Sequence, residues 1–311
     1  MSTISSKTFT LSDGKKIPAV GLGTWQSSSE DAYNAVATAL QNGYRHIDTA
    51  WIYGNEKEVG KAIKDSGIPR EEIFITTKLW NTHQDDVAKA VDTSLQNLGV
   101  DYIDLYLMHW PIAFNPDANS TFPKIEKNGK LVADIVGGRE KYLETWKKME
   151  EVFTTTKKLR SIGVSNFDVN KLSKLLTVAK VKPVADQVES HPLLPQFELL
   201  EFAKKHDIQI EAYSPLGSTG TSVLKNETII SLAKKYDVSP ATIVLSWQVS
   251  RGVVVLPKSV HKERIIDNLK TITLKDEDIK AIDDISKTTT ERVCDPIKFW
   301  NYDLFGTEEY V

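Results

Sequence analysis

The sequence predicts an α/β fold, a single (β/α)8 TIM barrel, on three observations. Eight short runs rich in β-branched and apolar residues recur along the 311-residue chain. Stretches with apolar residues at helical spacing separate the runs, for example residues 31–42, 85–98 and 142–153. Most runs are too apolar to face water on one side, which favours parallel strands covered by helices. Eight units favour closure into a barrel, and an open, doubly wound sheet is the alternative. The predicted strands are residues 19–23, 44–48, 73–78, 103–109, 161–165, 185–188, 208–213 and 253–258.

Several pieces of the chain exceed the eight units. Asp13-Gly14 supplies the positive-φ residues of a tight turn between alternating residues, so the sequence predicts an N-terminal β-hairpin. Two extra helices are predicted at residues 227–236 and 275–285, and two long irregular segments at residues 110–139 and 287–311. Long loops in a compact domain are usually functional, so we expect substrate selectivity to depend on these segments. We predict one domain over residues 1–311, with the hairpin at 8–18, the barrel at 19–270, and the second extra helix and a C-terminal substrate loop at 271–311.

The composition is ordinary for a globular protein, with 41% hydrophobic and 26% charged residues. A formal net charge of −3 gives no reason to expect nucleic-acid or membrane partners. Cys294 is the only cysteine, so we expect neither an intrachain disulfide nor a cysteine-based zinc site. The histidines lack metal-binding spacing, and the chain has no signal-like or membrane-spanning apolar run. We therefore expect a cytoplasmic monomer without a metal.

Polar residues lie at or near the ends of the predicted strands, where a barrel places its active site. The second, third and fourth strands bring Asp48, Tyr53, Lys78 and His109 to this rim. A free tyrosine has a pKa of about 10, and a neighbouring ammonium lowers that pKa because it stabilises the phenolate. We therefore predict that Lys78, kept charged and aimed by Asp48, lowers the pKa of Tyr53. Tyr53 could then donate a proton to a carbonyl oxygen that His109 orients.

Five motifs, in order along the chain, resemble those of one known family. They are Gly43-Tyr44-Arg45-His46-Ile47-Asp48-Thr49-Ala50 followed by Tyr53, then Thr77-Lys78-Leu79-Trp80, Leu107-Met108-His109-Trp110-Pro111, Gly163-Val164-Ser165-Asn166-Phe167 and Leu256-Pro257-Lys258-Ser259. Their order and spacing resemble the aldo-keto reductases. The similarity extends from the hairpin to about Ser286 and is greatest to the monomeric fungal aldose-reductase-like and glycerol-dehydrogenase-like members.

The resemblance implies an oxidoreductase that transfers a hydride from NADPH to an aldehyde or ketone, with Tyr53 as the general acid. It also implies that Tyr213 stacks on the nicotinamide, that Lys258 and Arg264 hold the adenosine 2′-phosphate, and that Asn268 contacts the adenine. Many relatives carry Glu where this chain has Asp267. The predicted cofactor-binding residues are Gly23, Thr24, Trp25, Asp48, Ser165, Asn166, Gln187, Tyr213, Ser214, Leu216, Lys258, Ser259, Val260, Arg264 and Asn268. The predicted apolar substrate pocket consists of Trp25, Ile52, Trp80, His109, Trp110, Phe299 and Trp300.

Two other functions are compatible with the sequence. The barrel could bind NADPH and serve a regulatory or structural role, although the intact set of Asp48, Tyr53, Lys78 and His109 favours an enzyme. A barrel lyase or isomerase would need no nicotinamide cofactor.

Overall fold

Eight parallel strands form a barrel, as the sequence predicts. The computed structural model describes residues 3–127, 129–218 and 222–306. Each strand pairs with the next along the chain. The first and last strands meet where Val20 bridges Val255 and the Gly21 amide donates to the Val255 carbonyl at 2.9 Å, so the sheet is not the open alternative. The strands are β1 (Leu22–Gly23), β2 (His46–Asp48), β3 (Phe74–Leu79), β4 (Ile103–Met108), β5 (Leu159–Ser165), β6 (Ala185–Glu189), β7 (Gln209–Tyr213) and β8 (Val254–Leu256).

Helices connect the strands and cover the outside of the barrel. Within the described residues they are α1 (Ser29–Gln41), α2 (Glu56–Asp65), α3 (Val87–Leu98), α4 (Lys141–Thr155), α5 (Val169–Val178), α6 (Phe197–Lys205), α7 (Glu227–Tyr236), α8 (Pro240–Ser250), α9 (Lys262–Asn268), α10 (Asp276–Asp283) and α11 (Pro296–Trp300). The two extra helices that the sequence predicts are α7 and α10. Among the described residues, no helix combines the length and the apolar character that a membrane span requires.

Local side chains determine where several helices begin and end. Asp86 and Asp168 each accept a backbone N–H bond from the third residue that follows, at 3.1 and 2.8 Å. Ser239 caps α8 in the same way, and Pro240 follows in the first turn, where its missing N–H costs nothing. Gly99 ends α3 in the left-handed conformation. Each of these ends lets the chain leave the helix at a defined residue.

The predicted hairpin covers the N-terminal end of the barrel. Thr8–Thr10 pairs with Lys16–Pro18 in antiparallel register, and Leu11 and Ile17 pack into the barrel interior. A further pairing, of Thr3–Ile4 with Lys270–Thr271, was not predicted. Because the hairpin closes this end, the rim at the C-terminal ends of the strands is the one left open for chemistry.

Both long segments contain more regular structure than the sequence predicts. In residues 110–139, Ala113–Phe114 pairs with Ile135–Val136, and Lys124–Lys127 pairs with Lys130–Ala133. In residues 287–311, a short helix, α11, forms, and residues 307–311 lie outside the described part of the chain. The prediction of wholly irregular segments is wrong, because strands of two to four residues are too short to show a periodic pattern.

The barrel interior encloses a carboxyl group as well as apolar side chains. Glu211 lies on β7 and has no exposure to solvent. Burial, with a smaller contribution from the Asp48 carboxylate, raises the pKa of Glu211 to about 8, although Lys78 offsets part of that shift. In the folded protein Glu211 is therefore largely a neutral acid at pH 7, whereas a glutamate of the unfolded chain ionises near pH ~4.3.

We predict that Glu211→Gln becomes more stabilising as the pH rises. Between the unfolded pKa of about 4.3 and the folded value of about 8, the folded wild type keeps a proton that the unfolded chain has released. The contribution of Glu211 to wild-type stability therefore falls with rising pH across this window. Since glutamine cannot ionise, the free energy of unfolding of the variant should gain on that of the wild type by about 1.4 kcal/mol per pH unit inside the window.

Urea denaturation at several pH values across the window measures this difference. Glu201→Gln, the same change at an exposed position of α6, is the control and should give a difference that does not vary with pH. A pH-independent difference for Glu211→Gln as well would contradict the assignment of a buried, neutral acid.

Candidate active site

The residues that the sequence places at the strand ends meet at one rim of the barrel. At the centre lies a buried ion pair between Asp48, the last residue of β2, and Lys78 of β3. The Lys78 ammonium donates to both carboxylate oxygens of Asp48, at 2.8 and 2.9 Å, and to the Thr49 carbonyl at 2.8 Å. It also lies 3.4 Å from the Tyr53 hydroxyl oxygen. Asp48, Lys78 and Tyr53 therefore form one connected group.

Burial and pairing together determine the charge of this pair. Burial raises the pKa of Asp48 and, acting alone, would lower that of Lys78. For Lys78 the contacts with Asp48 and Tyr53 outweigh burial and raise its pKa above the ordinary value. Gln187 of β6 donates another N–H bond to Asp48 at 2.8 Å. We conclude that Lys78 is an ammonium at neutral pH and that Asp48, supported by these N–H donors, is its carboxylate partner.

Tyr53 departs from the sequence-based expectation. Burial raises the pKa of Tyr53 to about 12, and the Lys78 charge compensates for only part of that shift. The Trp25 ring lies against Tyr53, with the ring centroids 4.7 Å apart, and helps to keep water away. The prediction that Lys78 brings the pKa below that of a free tyrosine is therefore wrong, since desolvation is the larger effect. Tyr53 keeps its proton throughout the neutral range.

His109 follows β4 and faces the same space. Its ring centroid lies 5.8 Å from that of Tyr53 and 5.2 Å from that of Trp80. Burial, and then the Lys78 ammonium, hold the pKa of His109 well below its usual value. The imidazole is therefore neutral at neutral pH and carries one N–H donor. Such a group can orient an oxygen atom by a hydrogen bond without exchanging a proton with it.

Hydrogen bonds join the polar ends of β5, β6 and β7 into one surface. The Asn166 amide donates to the His109 carbonyl at 2.8 Å, and its oxygen accepts the Tyr213 hydroxyl at 2.7 Å. The Ser165 hydroxyl donates to the Gln187 carbonyl at 2.7 Å. Asn166 has a φ of 65°, a conformation that a non-glycine residue keeps only when its surroundings hold it. These four residues, all predicted to bind the cofactor, are thus close together and held in fixed positions.

Aromatic side chains from three parts of the chain form a wall beside these polar groups. The ring of Trp300, in α11, lies 4.8 Å from that of Trp110 and 5.2 Å from that of Phe114, between centroids. Trp80 belongs to the same buried cluster, and its indole N–H donates to the Thr121 carbonyl at 2.8 Å. The structure therefore brings together three of the four tryptophans predicted for the pocket and adds Phe114.

The remaining predicted pocket residues lie at the edge of this aromatic wall. Trp25 is 46% exposed and covers the Tyr53 ring. Ile52 is partly buried and packs against the aromatic cluster. Phe299 is 52% exposed, whereas its neighbour Trp300 is only 6% exposed. Trp300 therefore belongs to the wall, and a pocket role for Phe299 stays a prediction.

The segment after β8 presents two cations beside a hydroxyl group. Lys258 and Arg264 are both exposed, and Ser259 between them is buried. Neither cation forms a salt bridge with any residue that the structure describes. Asp267, one turn after Arg264, pairs with Lys270 at 2.6 Å. This arrangement leaves both positive charges available to an external anion.

The other predicted cofactor-binding residues differ in their surroundings. The Thr24 hydroxyl donates to the Asp48 carbonyl at 3.0 Å. At Gly23 a Cβ atom would lie 3.0 Å from the Leu256 carbonyl oxygen, so only a small residue fits between β1 and β8. Ser214 follows β7 with a φ of 47°. The rest are Leu216, which packs against the core, Val260, which is exposed, and Asn268, which is buried.

Sequence reasoning missed several buried polar residues around the site. Gln84 donates to the carbonyls of Trp110 and Ile112, at 2.9 and 2.7 Å, and thereby fixes the loop that carries one side of the wall. Glu189 and Glu211 are buried carboxyl groups on β6 and β7. A charged residue inside a strand was the available signal for the two glutamates. Nothing in the pattern around Gln84 indicated its role, because its partners depend on how a loop folds back.

Comparison with known proteins places this geometry in a family. A profile of the aldo/keto reductase family matches residues 19–287. Glycerol 2-dehydrogenase (NADP(+)) of Saccharomyces cerevisiae is 51% identical over 294 residues, which cover 93% of each chain. An aldehyde reductase of the same yeast is 47% identical over 309 residues, or 97% of each chain. The solved structure of the aldose reductase from Schistosoma japonicum superimposes with a TM-score of 0.86 at 33% identity, covering 98% of this chain and 100% of that one. The chain belongs to the aldo/keto reductase family.

Proposed function

We propose that the protein is an NADPH-dependent oxidoreductase that reduces an aldehyde or ketone to the corresponding alcohol. The observation that carries the proposal is the chain of contacts from buried Asp48 through buried Lys78 to the Tyr53 hydroxyl. His109 lies between Tyr53 and Trp80 of the aromatic wall. Relatives named as an NADP(+)-dependent dehydrogenase and as an aldehyde reductase support it. A purely regulatory or structural role is not favoured, because this chain retains all four side chains that proton delivery needs.

The residues at the rim fit a nicotinamide dinucleotide phosphate. Ser165, Asn166 and Gln187 offer hydroxyl and amide groups for a carboxamide, and the Tyr213 ring offers a surface for stacking. When bound, the reduced nicotinamide supplies the hydride that the carbonyl carbon accepts. No group of three or more His, Cys, Asp or Glu side chains that could hold a metal ion occurs within residues 3–127, 129–218 and 222–306. The donors that we assign to polarisation of the carbonyl are the Tyr53 hydroxyl and the His109 N–H.

Tyr53 is the proposed proton donor. With a pKa of about 12, Tyr53 is protonated at neutral pH, yet it is still a stronger acid than the alcohol that forms. Proton transfer to the developing alkoxide is therefore favourable. Lys78 lies 3.4 Å from the hydroxyl oxygen and stabilises the phenolate that remains, while Asp48 keeps Lys78 charged and in place. The neutral His109 donates an N–H bond to the same substrate oxygen and orients it.

The aromatic wall indicates which part of a substrate the protein would recognise. Trp80, Trp110 and Trp300 present apolar ring surface beside His109. An apolar or aromatic substituent on the carbonyl carbon could pack against these rings, while the carbonyl oxygen points to Tyr53. We therefore propose carbonyl compounds with such a substituent as the substrate class.

We predict that Tyr53→Phe lowers kcat by roughly 10²- to 10⁴-fold, the usual contribution of general acid catalysis. The change removes only the hydroxyl, so the fold and NADPH binding should survive. Steady-state kinetics with NADPH and an aldehyde measure the loss, and fluorescence titration checks cofactor binding. Tyr33→Phe is the matched control, because it removes a hydroxyl that bonds to Asp65 on the outside of the barrel. A Tyr53→Phe enzyme with more than about half of the wild-type kcat would remove Tyr53 from the role.

We predict that the double variant Lys258→Met/Arg264→Met loses affinity for NADPH and not for NADH. The two cofactors differ by the 2′-phosphate, and each charge-assisted hydrogen bond to it is worth roughly 1.5–3 kcal/mol. Two such bonds correspond to a loss of about 10²- to 10⁴-fold in affinity. NADH lacks the phosphate, so its Kd should change little.

Fluorescence titration with both cofactors measures the two Kd values. The control is Lys57→Met/Lys64→Met, which removes the same charge from exposed positions of α2 and should leave both values unchanged. Equal losses for NADPH and NADH in the Lys258→Met/Arg264→Met variant would refute the phosphate site.

A further inference from the structure

A buried carboxylate binds the chain segment that carries Trp300, and it is not one of the four residues of the proposed proton-delivery group, Asp48, Tyr53, Lys78 and His109. Glu189, the last residue of β6, has no exposure to solvent. One of its oxygens accepts the Val293 backbone N–H at 2.7 Å, and the other accepts the Cys294 backbone N–H at 2.7 Å. These two donors lie more than a hundred residues further along the chain. The contact therefore ties the barrel to residues 287–306, which we call the C-terminal segment.

The surroundings of Glu189 favour its ionised, carboxylate form. The ring of His191, which is fully buried, lies 2.9 Å from the first carboxylate oxygen. Burial favours the neutral form, but the bonds from His191, Val293 and Cys294 outweigh it and lower the pKa of Glu189. Charge-assisted bonds to backbone N–H groups are stronger than neutral ones. An uncharged side chain of the same shape could not satisfy both N–H groups, since an amide presents only one acceptor oxygen.

The short helix α11 connects the residues that Glu189 binds to Trp300. Asp295 follows directly, and its side chain accepts the Ile297 backbone N–H at 3.0 Å to start α11. Pro296 occupies the first turn, and α11 ends with Trp300 in the aromatic wall. Between the bound N–H groups and the indole ring lies about one helical turn with a fixed start. A shift at Val293 and Cys294 would therefore move Trp300 relative to Trp110.

Glu189 is also close to the polar part of the site. It pairs in register with Tyr213 of β7, and it lies two residues after Gln187, whose amide binds Asp48. The same strand, β6, therefore holds both Asp48, through Gln187, and the segment that leads to Trp300 in the aromatic wall, through Glu189. Glu189 itself contacts neither Asp48, Tyr53, Lys78 nor His109 through any hydrogen bond within the described residues.

We propose that Glu189 is a positioning residue that determines substrate selectivity by holding the C-terminal segment, and with it Trp300, against the mouth of the barrel. The inference rests on the proposed carbonyl reduction. Substitution of a residue with this role should lower kcat/KM for substrates that contact the aromatic wall and leave kcat/KM unchanged for substrates that do not. Benzaldehyde is large enough to pack against the tryptophans, whereas propanal offers only a short chain.

Kinetics of Glu189→Gln with these two aldehydes and NADPH test the proposal. We expect kcat/KM for benzaldehyde to fall about tenfold, mainly because KM rises. A tenfold change corresponds to the free energy of about one charge-assisted hydrogen bond. For propanal the change should stay within about twofold, as should the Kd for NADPH, since neither depends on Trp300. Glu198→Gln, the same change at an exposed position of α6, should leave the ratio of the two kcat/KM values at the wild-type value.

The outcomes are distinguishable. A wild type that reduces neither aldehyde would overturn the proposed function itself. If the wild type reduces both aldehydes and Glu189→Gln leaves the ratio of the two kcat/KM values unchanged, only the positioning role is overturned. Partial loss of folded enzyme does not disturb this readout, because it lowers both kcat/KM values equally.

A second measurement needs no variant and so covers the case in which Glu189→Gln does not fold. Amide hydrogen exchange of the wild type should show strong protection at Val293 and Cys294 compared with the exposed residues 287–290. Equal exchange rates in the two stretches would show that the carboxylate does not hold the segment and would overturn the proposal.

Discussion

The buried ion pair between Asp48 and Lys78 is the interaction on which the rest of the site depends. Taking two charges out of water is costly, and the cost is tolerable only when each charge keeps its partners. Here the partners come from separate strands: the carboxylate from β2, the ammonium from β3 and the Gln187 amide from β6. Closure of the barrel brings β2, β3 and β6 to one point. The buried charges therefore keep their partners only when the barrel is closed. Loss of one member would leave a buried charge without its counterion, which typically costs about 3–5 kcal/mol.

The Lys78 ammonium influences the protonation of both Tyr53 and His109, and the two residues are suited to different tasks. Burial favours the neutral form of both Tyr53 and His109, which raises the pKa of the first and lowers that of the second. The Lys78 charge reinforces the shift at His109 and opposes the shift at Tyr53. At neutral pH, therefore, Tyr53 has a proton to give and His109 has one N–H to donate without becoming an acid. Two neutral donors beside one fixed ammonium can bind a carbonyl oxygen and then stabilise the negative charge that remains on the phenol.

The sequence was sufficient for features that depend on neighbours along the chain. All eight strands and both extra helices were predictable, because hydrophobic periodicity reports local conformation directly. The proximity of Asp48, Tyr53, Lys78 and His109 was predictable too, since strand ends in a barrel share one rim. The direction of the Tyr53 pKa shift was not, because burial depends on Trp25 and on rings from other segments. The partners of Glu189 were likewise hidden, because Val293 and Cys294 contribute backbone N–H groups, which every non-proline residue has. Sequence patterns identify side-chain chemistry, and they do not identify which backbone folds back onto it.

The polar groups and the aromatic wall are held by different kinds of contact, and this separates their roles. Asp48, Lys78 and Gln187 lie on strands whose hydrogen-bonded neighbours are themselves strands, so their positions vary little with the loops. The wall is attached by individual side chains: Gln84 fixes the loop at Trp110, and the Trp80 indole binds the Thr121 carbonyl. On the C-terminal side, Glu189 binds the N–H groups of Val293 and Cys294, which precede Trp300. A substitution at one of these attachment points can therefore move part of the wall and leave the ion pair in place. Under the proposed function, substitutions of this kind would change the substrate range while the proton chemistry stays the same.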